Sequence, residues 1–207
     1  MTEAHRERVA LVATMRSVGP DAPTLCSDWT TRNLAAHLVV RERRLDATPG
    51  IAIPFLAGYT DKVQHQVAAS SEWDELLEKI ASGPPLYSPF KLLDPVANMG
   101  EMFIHHEDVR RAQTGWEPRQ LDDATVKALG RGLPIMARLT LAKAPARVSL
   151  RTQEGKTLAT VGRGPELTVS GEPQELLLFI SGRDAVRLEF HGDASAVDAV
   201  RASRRGL

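Results

Sequence analysis

The chain holds a single cysteine, Cys26, so neither an intrachain disulfide framework nor a multi-cysteine metal site can form. A reducing compartment suits such usage, and the cytoplasm is the expected location. Net charge is missing too, because 26 Lys and Arg stand against 26 Asp and Glu. Without a basic excess, nothing in the charge balance favours a nucleic-acid partner or an anionic membrane surface. Arginines do cluster at Arg41, Arg43 and Arg44, at Arg110 and Arg111, and at Arg201, Arg204 and Arg205. Acidic residues lie near most of these, so each cluster reads as a solvated helix face. No run approaches the roughly 20 apolar residues of a membrane span. The first 19 residues carry only a short apolar stretch broken by arginines, which fits neither a signal peptide nor an anchor. Internal repeats and low-complexity tracts are absent as well.

What is present is an ordinary globular composition. At 43% hydrophobic and 25% charged residues, the chain can bury a real core. Its 207 residues exceed the roughly 150 of a typical domain, so one domain with an appendage, or two modest domains, is expected. The pattern changes near residue 145. Before it the apolar spacing is mostly helical. The first helix is expected over Glu3 to Arg16, the second from Thr30 or Thr31 to about Leu45 after capping residues Ser27 and Asp28. Residues 54–69 are ambiguous and partly helical. Ser71 to Asp74 resembles a capping box opening a helix to Ile80. Asp94-Pro95 supplies a cap and a first-turn proline for a helix to Gln113, and a further helix covers Asp123 to Ala142, kinked at Pro134. Several helices joined by short connections suggest an antiparallel bundle. After residue 145, alternating runs at Val148 and Leu150, Thr157 to Val161, Leu167 and Val169, and Val186 to Phe190 read as strands. Helices are expected at Pro173 to Ile180 and Ala194 to Arg204. The expected organisation is therefore a helical domain over 1–145 and a small α+β domain over 146–207.

One constellation carries chemistry. Glu101 to His105 forms an E-x-x-x-H segment inside a well-marked helix. Four residues advance about 400°, so Glu101 and His105 project from one face about 40° apart, within reach of one divalent ion. His106 diverges from His105 by about 100° and has Met102, no ligand for a hard metal, one turn before it. The pairing therefore selects His105. A third ligand has to come from another helix, and His37 is the best placed. It flanks the apolar sector of Leu34, Leu38 and Leu45, and so faces the interior or its edge. His5, His65 and His191 lie near a terminus, in an ambiguous segment and before a turn, and compete poorly. Trp73, Trp116 and the methionines at helical spacing read as core. Cys26 reads as a buried packing residue.

The segment Asp28-Trp29-Thr30-Thr31-Arg32-Asn33-Leu34-Ala35-Ala36-His37-Leu38 resembles the first signature of the DinB-like metalloprotein superfamily. The closer resemblance is to its mycothiol-dependent maleylpyruvate isomerase branch, whose second signature is an E-x-x-x-H helix matched by Glu101 to His105. The run from Gly171 to Arg183, followed by His191-Gly192-Asp193-Ala194, is similar to that branch's small C-terminal domain. The resemblance implies an N-terminal all-α DinB-like four-helix bundle with a small C-terminal α+β domain. It also implies a metal held by His37, Glu101 and His105.

Two imidazoles and a carboxylate leave coordination positions over, as in an open zinc site, and nickel or iron(II) accept the same set. The leading expectation is a thiol-dependent transferase or isomerase. A low-molecular-weight thiol such as mycothiol would attack a small electrophile, with the metal stabilising the thiolate. Arg41, one turn beyond His37, is the candidate contact for an anionic carboxylate of that cosubstrate, or else the partner of an ordinary salt bridge. Two alternatives stand beside this. One is a non-catalytic metal-binding protein serving stress response or metal handling. The other is a metal-dependent hydrolase with Asp108 as general base. Monomer and homodimer both stay open.

Overall fold

A computed structural model describes residues 2–51, 53–91 and 95–206. The chain is mostly helical, with a four-stranded sheet towards its C-terminus, and divides into two compact units between Glu117 and Pro118. The first unit contains α1 (Glu3–Val18), α2 (Thr31–Arg43), α3 (Ala57–Ser70), α4 (Trp73–Ser82) and α5 (Pro95–Arg111). Short 3-10 turns at Thr48–Ile51, Pro54–Leu56 and Pro89–Lys91 sit between them. Within it α1 lies along α5 and against α4, while α2 packs on α3 and α4. Leu11 and Met15 of α1, Leu34 and Leu38 of α2, Leu76, Leu77 and Ile80 of α4, and Met102 and Val109 of α5 form its core.

The helix starts show which local signals acted. Thr30, not Ser27 or Asp28, caps α2: its side chain accepts from the Asn33 N–H, and Asn33 returns a bond to the Thr30 N–H at 3.1 Å. Ser27, at φ 53°, sits with Asp28 in the preceding turn, which the Pro23–Thr30 bridge closes. α2 also stops at Arg43, which leaves Leu45 outside the helix and exposed. The capping box expected at Ser71 does not form; Glu72 is the cap residue of α4 and makes no side-chain capping bond. Residues 57–70, ambiguous by pattern, form a full helix. The cap expected at Asp94 lies outside the described residues.

The second unit contains α6 (Asp123–Thr140), β1 (Arg147–Arg151), β2 (Thr157–Val161), β3 (Glu166–Ser170), α7 (Pro173–Ile180), β4 (Glu189–Gly192) and α8 (Ala194–Ala202). The boundary thus falls before α6 and not at residue 145. Helical periodicity assigned α6 to the front of the chain, but its buried residues Leu129, Leu133 and Ala137 belong to a helix that packs on α7 and β2. The sheet order is β2-β1-β3-β4, with β1–β3 parallel and the two outer pairs antiparallel. Val148, Leu150, Leu167 and Val169 point to a buried face, whereas Ser149 and Thr160 meet on the other at 3.2 Å. Leu176 through Ile180 are all buried, so α7 beyond its first turn is apolar around its whole circumference. The turn into β3 needs Gly162: its φ is 87°, and a Cβ there would lie 2.2 Å from the Ala146 carbonyl oxygen. β4 begins at Glu189, later than the run from Val186 had suggested. Among the described residues no helix is long and apolar enough to cross a membrane.

Candidate metal centre

His37 and Arg41 project from α2, Glu101 and His105 from α5. The chain between these helices returns α5 to the side of α2 that carries His37. The donor atoms of His37, Glu101 and His105 all lie within 4.8 Å of one another, and all three residues are partly buried. The two imidazole rings meet edge to face, with centroids 5.5 Å apart. Trp29, just ahead of α2, stands against His37 at 5.1 Å.

Each imidazole is held from behind through the same nitrogen. His37 Nδ1 lies 3.2 Å from Gln64 Oε1 of α3, and His105 Nδ1 lies 3.0 Å from Asp108 Oδ2, one turn further along α5. Carboxylate and amide oxygens accept, so each contact favours the tautomer with its proton on Nδ1 and its lone pair on Nε2. Burial, reinforced by the neighbouring His105, pulls the pKa of His37 down to about 3 against the support of Gln64. His37 is therefore neutral, as a ligand must be. Burial pushes the Glu101 carboxyl up, opposed by Arg41 and then by His105. Arg41 forms a short ion pair with Glu101 and lies 4.0 Å over the ring of Phe90. Its Nη1 is buried and lacks a hydrogen-bond partner among the described residues.

The donors suit a divalent ion in type and proximity. A second group, Cys26, His105 and Asp108, also brings its donor atoms within 4.8 Å. There the contacts are hydrogen bonds: Cys26 Sγ donates to Asp108 Oδ2 at 3.0 Å, the same oxygen that receives His105 Nδ1–H. Both groups could hold a metal, and they share His105.

His106 faces the other way. It is buried against α1, between Glu7 Oε1 at 2.7 Å and Thr14 Oγ1 at 2.8 Å. His65 and His191 are exposed, the latter 3.5 Å from Glu189 in the second unit. Asp108 is 0% exposed and engaged by two donors, which is not the setting of a general base beside open water. Cys26 packs partly against the core but also bonds Asp108, a contact that composition could not reveal. Trp73 packs on the core, while Trp116 lies under Arg111 at 4.7 Å. Gln64 was missed from sequence. It lies in the one ambiguous segment, and a glutamine has no signature spacing to a histidine 27 residues away. Asp108 at i+3 from His105 was visible as a neighbour, though not as its support. Compared with protein-family models, with curated proteins and with solved structures, the chain matches none.

Proposed function

We propose that the protein is a divalent-metal enzyme of the DinB-like superfamily, a transferase or isomerase that uses a low-molecular-weight thiol such as mycothiol on a small electrophile. The helical unit is then the superfamily's four-helix bundle, and zinc is the metal of choice for His37, Glu101 and His105. One observation carries this reading: two imidazoles and a carboxylate from helices far apart in sequence converge, with each Nδ1 already engaged. A bound divalent ion would keep a thiol in its thiolate form at neutral pH.

The chain's own residues supply the rest. Gln64 and Asp108 hold the two rings, and Trp29 and Phe90 place apolar surface beside His37 and Arg41. Through the ion pair Arg41 opposes the burial that pushes the Glu101 carboxyl up. Its unpartnered Nη1 is the donor that a carboxylate of an anionic cosubstrate would take.

Metal content tests the site. Wild type is expected to hold a full equivalent, and His37→Ala, Glu101→Ala and His105→Ala to lose it. If each variant keeps its metal, the ligand assignment is wrong. For the reaction, cobalt-substituted protein should gain a thiolate charge-transfer band when mycothiol is added, together with thiol-dependent turnover of electrophiles. Absence of both would sink the thiol chemistry and leave a metal-binding protein without turnover.

A further inference from the structure

Asp108 has no ligand role in the site just described, yet it is the most enclosed acid beside it. Its carboxylate is 0% exposed. It receives two hydrogen bonds on one oxygen, from His105 Nδ1 and from Cys26 Sγ, each 3.0 Å long. Its backbone carbonyl accepts from the Leu25 N–H, also at 3.0 Å, which ties the loop bearing Cys26 to α5. Gln64, 4% exposed, stands in the same relation to His37. Two rings from two helices are thus each braced at Nδ1 by a buried acceptor.

We propose that Asp108 and Gln64 are positioning residues that force both histidines into the Nδ1–H tautomer and aim their Nε2 atoms at one metal. Cys26 Sγ donates to the same Asp108 oxygen and is a hydrogen-bond donor there, not a ligand. The physical reason is acceptor chemistry. An ionised carboxylate only accepts, so the proton between Asp108 and His105 sits on Nδ1, and the lone pair is left at Nε2, on the far edge of the ring. Fixing the tautomer before metal arrives removes the cost of reorienting the ring, and a carboxylate behind an imidazole raises its basicity as a ligand. The Cys26, His105 and Asp108 group is then a brace, and its protons hold it closed to a metal.

The tautomer half of this inference stands without a metal, and the affinity half rests on the ligand set proposed above. In metal-free wild-type protein, long-range nitrogen–proton NMR of the imidazoles should show Nδ1–H and an unprotonated Nε2 for both His37 and His105. An Nε2–H tautomer at His105 overturns the proposal, and no variant is needed to find it. Chelator competition with zinc should show Asp108→Asn and Gln64→Leu weakened by about ten- to hundredfold at full stoichiometry. Cys26→Ala should bind close to wild type. Unchanged affinity in both Asp108→Asn and Gln64→Leu overturns the proposal, as does complete loss of metal in Cys26→Ala, which would make the thiol a ligand. Should Asp108→Asn fail to fold, Gln64→Leu and the wild-type spectrum still decide. Metal retained by the His37, Glu101 and His105 variants would instead remove the ligand set and leave the tautomer result intact.

Discussion

The helical unit and the sheet-bearing unit bury different things. In the first, Glu7, Arg8, Glu42, His106, Glu107, Asp108 and Arg111 all lie inside, and they are paired: Arg8 with Glu42 and the Ile80 carbonyl, His106 with Glu7, Arg111 with Glu107. In the second, the interior is dominated by Val148, Leu150, Leu167, Val169 and Leu176 to Ile180 of α7, with fewer buried charges beside them: Glu175, which accepts from the Arg187 N–H, and Arg205, paired with Asp184. Buried ion pairs add little net stability, since desolvation offsets most of their attraction, whereas apolar burial contributes about 25 cal/mol per Å². The helical unit therefore gives up stability for geometry. The candidate metal centre lies in that unit, beside the charges that hold its helices in register.

The comparison can be broken most forcefully at the Arg8–Glu42 pair. Glu42→Gln leaves the buried Arg8 without its counter-charge and should cost about 3–5 kcal/mol in urea unfolding followed by a probe in the helical unit. The double variant Arg8→Met, Glu42→Leu should recover most of that loss, because no buried charge remains unpaired. If the double variant is as unstable as the single one, the pair is a source of stability and the contrast between units fails. In the sheet unit the expected lesion is a cavity: Leu178→Ala, at 0% exposure, should cost about 3 kcal/mol, with metal stoichiometry unchanged. Metal loss in that variant would show that the centre depends on the second unit. The smallest effects are those of the caps. Thr30→Ala in the helical unit and Asp122→Ala in the sheet unit remove side chains that accept from Asn33 and Thr125, and each should cost about 1 kcal/mol. A clearly larger loss for Thr30→Ala would mean that the start of α2, seven residues before His37, also supports the site, to be read as a parallel fall in zinc affinity.

Much of the helical unit was legible from the chain. Leu34 and Leu38 are buried as their spacing required, and Glu101 and His105 share a face because four residues nearly complete one turn. His106 was set aside for a reason the structure shares, since it points to α1 and bonds Glu7. The start of α2 was placed to within a residue, but on the wrong cap. Ser27-Asp28 and Thr30-Thr31 offer similar side chains, and only the reciprocal bond with Asn33 distinguishes them. α6 was assigned to the wrong unit because periodicity marks a buried face and says nothing of what covers it. β4 was shifted because Val186 and Leu188 look like strand residues, while the pairing with β3 starts at Glu189.

Sequence alone determined the residue types at the centre and the helices that carry them: one with Glu101 and His105, a second with His37, and a single cysteine without a disulfide partner. These follow from local geometry, which acts over a few residues. Tertiary structure decided everything that acts over long separations. It set Gln64 behind His37 from 27 residues away, Cys26 against Asp108 from 82, and Arg41 on Glu101 instead of in open solvent. Hydrogen bonds and ion pairs of this kind form only where packing delivers both partners and removes water. Their strength comes from the burial itself, and burial is a property of the folded chain.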